Sequence, residues 1–488
     1  MKKLYVALTF FGIIILMSSM SYSEQKRNIS VKMNTLISDS IPVLPDEPYN
    51  YNGIEFPEEI LTLMAIWGET FDPNDFNSQI DNETATLGRV LFYDKKLSGN
   101  NEISCASCHK QEFSFADNVA FSEGINGPLT TRNSPNLNDL EWGANSLLVI
   151  DIFVGGILDP SFIPGTHTYF WDCRDTSLAT AVLQPIAADD ELGKDMSILV
   201  NKLSNTSYYP DLFAAAFGDS QITTERIGTA MAHFIRSMVS FESKFDKAEQ
   251  GLSEYTPAEF AGRNIFENSC GFFCHTLPNG GIKTPMNNGL DETPEDPGAG
   301  TWINDEAAFG LFKSPSLRNI ALTAPYMHDG RFETLEEVID FYSEGIQSSP
   351  NSSFEWLMGS EFTGFDFSDS DKENLLAFLH TMTNETFIND PKFSNPFDEN
   401  TVGIKPLPLL EKIVVYPNPV QDAVRITIEN GQARNYLIEL TTVDGKTIQS
   451  LQATGNELVM KLDDISKGLY FLKISQEERM QVVKLMVN

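Results

Sequence analysis

Apolar positions along this chain fall into three regimes. The first is an unbroken run, Leu4 to Met17, preceded by Met1-Lys2-Lys3 and followed by Ser18-Ser19-Met20-Ser21-Tyr22-Ser23. A basic start, a short apolar core and a small-residue zone predict an export signal over 1–23, cut after Ser23. A membrane anchor is the competing reading, for which the core is short. No cysteine follows it, which speaks against a lipid anchor. The second regime repeats at three- and four-residue steps and predicts helices over Pro57–Trp67, Thr84–Tyr93, Thr223–Phe241 and Ser370–Met382. In the Thr223–Phe241 segment Ile227, Met231, Phe234, Met238 and Phe241 form one stripe. Thr256-Pro257-Ala258-Glu259 and Thr334-Leu335-Glu336-Glu337 read as capping boxes, the second opening a helix to about Ser343. The third regime alternates with a period of two: Val424–Ile428, Tyr436–Thr442, Glu457–Leu462, Leu469–Ile474 and Val482–Val487, with Asp444-Gly445 as a hairpin signal. Short strands at this density predict a small β-sandwich over 412–488, after a Pro-containing linker at 396–411.

Composition sharpens this. The 488 residues are 41% hydrophobic and 21% charged, which is ordinary for a globular chain. Basic residues number 34 and acidic ones 68, a net charge of −34. From Lys412 onward nine basic residues balance nine acidic ones, so the excess lies wholly upstream. Such a balance excludes a nucleic-acid binder and docking on anionic lipid, and suits a basic protein partner or divalent cations.

The five cysteines carry the chemistry. Cys105-Ala106-Ser107-Cys108-His109 has the spacing of a covalent c-type haem site: two thiols for the two vinyl groups, and a histidine for the iron. A redox or zinc pair is the alternative, but zinc needs more ligands nearby. Cys270-Gly271-Phe272-Phe273-Cys274-His275 repeats the motif with one residue more between the cysteines. A second haem there requires a bulged loop, which Gly271 could absorb. A Cys270–Cys274 disulfide, or attachment through Cys274 alone, stays open. Cys173 is the odd thiol and reads as buried and inert. Two covalent haems in a helical region predict a mostly α chain: a leader at 24–55, two cytochrome c-like helical haem domains at 56–245 and 246–395, and then the β-sandwich.

Further blocks carry a resemblance. Leu87-Gly-Arg-Val-Leu-Phe-Tyr-Asp94, Arg132-Asn-Ser-Pro135, Phe170-Trp-Asp-Cys-Arg174, Pro185-Ile186 with Glu191-Leu192-Gly193, Pro315-Ser-Leu-Arg-Asn319, Thr323-Ala-Pro-Tyr-Met-His-Asp-Gly330 and Leu335-Glu-Glu-Val-Ile-Asp-Phe-Tyr342, with the two haem motifs, resemble the bacterial di-haem cytochrome c peroxidase and MauG family from about 56 to 390. At the other end Val415-Tyr-Pro-Asn-Pro419, Val443-Asp-Gly-Lys446, Lys467-Gly-Leu-Tyr470 and Lys484-Leu485 resemble the C-terminal sorting domain of type IX secretion. That likeness implies export through the periplasm, handling by the type IX machinery, and secretion or surface display with the sorting domain removed. An Ig-like adhesion module is the alternative. No stable membrane span is expected once the signal is cut.

The first resemblance implies roles residue by residue. His109 would ligate the N-terminal, peroxide-reactive haem. No histidine occurs between 110 and 166, so the second histidine ligand of classical members is missing and an open iron is expected; His167 is a late substitute. Glu191 would be the distal acid–base, although Asp189-Asp190-Glu191 also reads as a solvated charge run. The family's glutamine ten residues after the tryptophan is here Ala181. Trp171 would relay an electron between the haems, against the plainer reading of a core tryptophan, and Cys173 replaces a glycine. His275 would hold the C-terminal haem. Its second ligand would be Tyr342, fourteen residues after His328, where classical members have methionine; Met327 and a core role for Tyr342 compete. Asn133, Thr323 and Pro325 match positions that hold calcium, against turn and helix-end roles. The implied function is an exported enzyme reducing hydrogen peroxide with electrons from a donor such as a small cytochrome c. A MauG-like, peroxide-dependent oxidase of a protein or organic substrate is the alternative. A non-enzymatic di-haem electron carrier is the third reading.

Overall fold

The computed structural model describes residues 41–397 apart from 67–70, 143–167, 280, 350 and 360, and in the C-terminal part 412–487 apart from single residues and short turns, among them 430–434 and 443–446. The expected signal over 1–23, most of the leader and of the linker, His167 and the Asp444-Gly445 turn therefore lie outside the described residues. Among these residues no helix is long and apolar enough to cross a membrane. The chain forms two compact units, Glu47–Phe397 and Asp398–Asn488.

Among the described residues the regular elements of the first unit are helices and one short ladder, β1 (Ile282–Met286) with β2 (Phe312–Ser314), antiparallel. Two helix pairs organise it, and they echo each other. The Asn82–Tyr93 helix packs on Thr224–Arg236, and Pro257–Glu267 packs on Asp369–His380. Each first helix carries Gly-Arg at the crossing. A Cβ on Gly88 would lie 2.0 Å from the Ala230 carbonyl oxygen, and one on Gly262 1.9 Å from that of Asn374. Only glycine permits backbones that close. Each of these two helices then leads toward a Cys/His motif, so the internal repeat sets two sites on equivalent scaffolds.

Local signals start the helices as the residues dictate. Both capping boxes form, Thr256 with Glu259 and Thr334 with Glu337. The Thr223–Phe241 stripe is helical only over Thr224–Arg236. Beyond it Asp139 takes over: its N–H donates to the Met238 carbonyl, and its carboxylate accepts from the Ser240 N–H and the Trp142 indole. A partner a hundred residues upstream ends the helix. Part of the expected leader is core. Tyr51 is fully buried, its N–H donating to Asn82 Oδ1 at 2.8 Å and its hydroxyl to the Lys392 carbonyl at 2.9 Å.

The Arg318 guanidinium is buried under Trp142, Phe241 and Phe245 and forms two bonds to Asp246, at 2.7 and 3.0 Å. Both side chains are at most 1% exposed. Asp246→Ala is expected to cost about 3–5 kcal/mol, because it leaves a cation unpaired in apolar surroundings; chemical denaturation of the purified protein measures it.

The second unit holds two antiparallel sheets. One has the order β3-β4-β7, from β3 (Lys412–Tyr416), β4 (Ala423–Glu429) and β7 (Glu457–Lys461). The other has the order β6-β5-β8-β9, from β5 (Asn435–Thr441), β6 (Thr447–Thr454), β8 (Gly468–Gln476) and β9 (Arg479–Val487). Alternate residues of both, Val424 and Ile426 with Ile438, Leu440, Leu472 and Ile474, share one apolar cluster. β3 and β6 are strands that the alternation alone does not show.

Candidate functional site

Two cavities sit inside the helical unit, one on each Cys/His motif. The first is lined by Cys105, Cys108 and His109. The motif folds as one helical turn, Cys105–Cys108, with the His109 N–H donating to the Cys105 carbonyl at 2.9 Å. Ser114 and Phe115 follow with left-handed backbones, which bring the Phe115 carbonyl to 2.8 Å from His109 Nδ1. A carbonyl only accepts, so Nδ1 carries the proton and Nε2 keeps its lone pair, the form that ligates a metal. Burial lowers the basicity of this ring and keeps it neutral. Burial also pushes the thiols up, Cys105 to about 12 and Cys108 to about 11. Among the described residues no group of three or more His, Cys, Asp or Glu gathers as metal ligands, whereas a structural zinc site takes four. Two neutral thiols and a neutral imidazole on one apolar cavity fit a covalently attached haem.

The second cavity is lined by Cys270, Cys274, His275, Met327, His328 and Tyr342. Here the His275 N–H also donates to the carbonyl of the first cysteine, at 3.0 Å, but across five residues instead of four. That wider turn takes up the extra residue. Gly271 is not in a left-handed conformation; its service is space, since a Cβ there would meet the Phe266 ring at 2.8 Å. All five cysteines stand as free thiols, and burial pushes Cys270 to about 11 and Cys274 to about 12. This set fits a haem as the first does.

Tyr342 lies in a π-helical turn, Phe341–Gly345, that continues the Leu335–Asp340 helix; such widened turns favour functional positions. Its hydroxyl accepts from Asn288 Nδ2 at 3.1 Å, and the same amide reaches Met327 Sδ at 3.7 Å. Nothing in the sequence around Asn288 signals this contact across 54 residues.

Trp171 borders both cavities, in a shared wall with Asn133, Pro135, Asn136, Lys313 and Pro315. Its indole N–H donates to the Asn133 carbonyl at 2.8 Å, and its own carbonyl accepts from the Lys313 N–H at 2.7 Å. Neighbouring Asp172 is held by Arg132 at 2.6 Å and Arg174 at 3.0 Å, while Arg132 also grips Asp296. Cys173 is buried, its thiol pushed up to about 11, and sits at φ 57°, a left-handed angle that glycine adopts more readily.

Glu191 lines only the first cavity. Its loop is pinned: the Ile125 N–H donates to the Glu191 carbonyl at 2.9 Å and the Gly99 N–H to that of Leu192 at 2.8 Å. Of the acidic run Asp189 is exposed, whereas Glu191 is half-buried. Burial, reinforced by Asp190 and opposed by Arg174, pushes its carboxyl up to about 7. Ala181 also lines this cavity and its methyl offers no hydrogen bond; Arg132, Arg174 and Lys313 are the basic side chains there. Asn133, Thr323 and Pro325 all line the second cavity. The Asn133 amide donates to the Val119 carbonyl at 3.0 Å and Thr323 Oγ1 to that of Ile320 at 3.2 Å. This donor set is neutral, so a cation would depend on main-chain oxygens as well.

Comparison with known proteins identifies the family. Residues 82–254 match the family model for di-haem cytochrome c peroxidase, and 414–488 that for the secretion system C-terminal sorting domain. The methylamine utilization protein MauG of Methylorubrum extorquens is 31% identical over 309 residues, 62% of this chain and 79% of the relative. The cytochrome c551 peroxidase of Nitrosomonas europaea is 29% identical, covering 64% and 83%. A solved MauG-like protein associated with microbial copper homeostasis superposes with a TM-score of 0.54 at 33% identity, over 65% of this chain and 94% of that one. The chain is a member of the di-haem cytochrome c peroxidase and MauG family, an oxidoreductase with a secretion-system sorting domain at its C-terminal end.

Proposed function

We propose that this chain is an exported di-haem peroxidase that reduces hydrogen peroxide to water with electrons from an external donor such as a small cytochrome c. Family membership implies two c-type haems. The observation that carries the reading is the asymmetry of the two cavities. They share Trp171 as wall, but only the first is lined by carboxyls, Asp190 and the half-buried Glu191, and only the second by Tyr342 with Met327 beside it. Cys105, Cys108 and His109 would hold one haem; Cys270, Cys274, His275 and Tyr342 the other. When bound, these groups supply redox-active iron, one centre open to peroxide. Glu191 takes the proton from the near oxygen of peroxide and returns it to the departing one, which a carboxyl tuned close to neutrality does in both directions. Trp171, fixed at its indole N–H and its carbonyl, passes single electrons across the wall. Asn133, Thr323 and Pro325, all on the second cavity, would hold calcium through oxygen ligands. The halves 56–245 and 246–395 act as peroxidatic and electron-transfer haem domains. The two-sheet tail is a β-sandwich that addresses the chain to the type IX machinery and is then removed.

A MauG-like oxidase of a protein or organic substrate is the second reading, and Tyr342 favours it. One preparation tests both. Mass spectrometry of the mature chain is expected to show two haems, and paramagnetic resonance a high-spin ferric signal beside a low-spin one. Peroxide is expected to be consumed quickly only with reduced cytochrome c present. Two low-spin signals and no response to peroxide overturn both readings; fast peroxide use with an organic substrate and none with cytochrome c favours the second. Equilibrium dialysis of the same protein counts calcium.

A further inference from the structure

We propose that Trp302 is the port through which electrons enter, delivered by a basic one-electron donor protein docked on the acidic rim around it. This rests on the peroxidase reading above. Trp302 lies in the short turn Gly300–Ile303 and is 40% exposed, yet its indole N–H donates to the Asp172 carbonyl at 2.7 Å. Asp172 directly follows Trp171. The surface indole is therefore one hydrogen bond and the backbone of one residue, Asp172, away from the residue that borders both cavities. Trp142, by contrast, is buried.

The link is held at each end. Asp172 is clamped by Arg132 and Arg174, and Arg132 reaches on to Asp296, six residues before Trp302. Trp171 is fixed through the Asn133 carbonyl and the Lys313 N–H. An exposed aromatic usually owes its place to packing, but this one spends its polar atom on the backbone of a relay residue.

The surroundings suit a protein partner. Phe309, also exposed, packs on Gly300, two residues before Trp302, and adds a second exposed aromatic ring to this turn. Glu292, Glu295, Asp305 and Glu306 are exposed around it in sequence. Upstream of Lys412 the chain has 34 − 9 = 25 basic and 68 − 9 = 59 acidic residues. An apolar centre with a charged rim of one sign steers a partner of the other sign.

The chemistry balances. Reduction of one peroxide to two waters needs two electrons and two protons. Each electron leaves the ferrous haem of a docked cytochrome, fills the one-electron-oxidised ring of Trp302, and passes from there to refill Trp171; two such passages complete a turnover, with protons from solvent.

The experiment uses the haem-loaded full chain, as wild type, Trp302→Phe, Trp302→Tyr and Asp305→Lys/Glu306→Lys. First, peroxide is added without reductant but with a nitroso spin trap, and the adduct is located by peptide mass spectrometry. A trap adduct on Trp302 in the wild type is expected. Second, kcat/KM for a basic cytochrome c is expected to fall by about tenfold or more in Trp302→Phe and in the charge-reversed variant. Trp302→Tyr, still oxidisable, should recover much of the Trp302→Phe loss, and the rate constant for peroxide should stay unchanged in all variants. A missing adduct on Trp302, or a Trp302→Phe protein that oxidises cytochrome c at the wild-type rate, overturns the proposal. So does loss confined to small phenols, which would make Trp302 a small-molecule site. A wild type that does not react with peroxide sinks the underlying reading first, and is distinguished by its unchanged visible spectrum.

Discussion

Glu191→Gln is expected to slow the reaction with hydrogen peroxide by roughly 10²–10⁴-fold, the usual worth of a positioned acid–base, while leaving the haem count and the fold intact. The amide keeps the size of the side chain but cannot exchange the proton. Stopped-flow spectroscopy of the ferric protein with peroxide measures the step directly. The pH profile gives the sign. Burial first, then Asp190, push the Glu191 carboxyl up to about 7, with Arg174 pulling the other way. The working form takes a proton and so must be the carboxylate. The wild-type rate should therefore rise with pH through about 7 and level off above it, whereas Glu191→Gln should be slow and flat. A glutamine variant that reacts at the wild-type rate would return Glu191 to the solvated charge run that its neighbour Asp189 belongs to.

What could be read from the sequence and what could not divides along the range of the interactions. The Cys/His motifs are legible because covalent attachment fixes spacing locally. So are the capping boxes at Thr256 and Thr334, whose partners stand three residues away. The end of the Thr224–Arg236 helix is not, since Asp139 ends it from far upstream. The role of Gly271 is not legible for a related reason: its constraint is the Phe266 ring rather than its own backbone. β6 escapes the alternation test because it is an edge strand, Thr-Ile-Gln-Ser-Leu-Gln-Ala-Thr, with no fully buried position. Most telling is the shared wall. The tryptophan was visible as a motif residue, but only the fold brings it against both cavities, and only the fold ties Trp302 and Asn288 into the same site.

Tyr342→Met is the substitution expected to change the C-terminal site most, raising its reduction potential by an amount on the order of hundreds of millivolts, within the span of roughly 0.8 V that axial ligands command. A phenolic oxygen that has lost its proton is a hard anion and favours ferric iron; a thioether is neutral and soft and favours ferrous iron. Left alone, Tyr342 does not ionise, because burial pushes its phenol well above the ordinary range. A cation must take the place of the proton, and the Asn288 amide, donating at 3.1 Å, then steadies the negative oxygen. The π-helical turn matters too, since it interrupts the regular i+4 register and sets Tyr342 apart from Leu335 and Ile339, its companions on the cavity wall. Spectroelectrochemical titration of the haem-loaded protein reads the shift. Met327 supplies the contrast: its sulfur stands near the same amide, at 3.7 Å. Were Met327 the ligand, Tyr342→Met would leave the potential nearly where it was and Met327→Leu would move it. The expected pattern is the reverse, with the large change following the tyrosine.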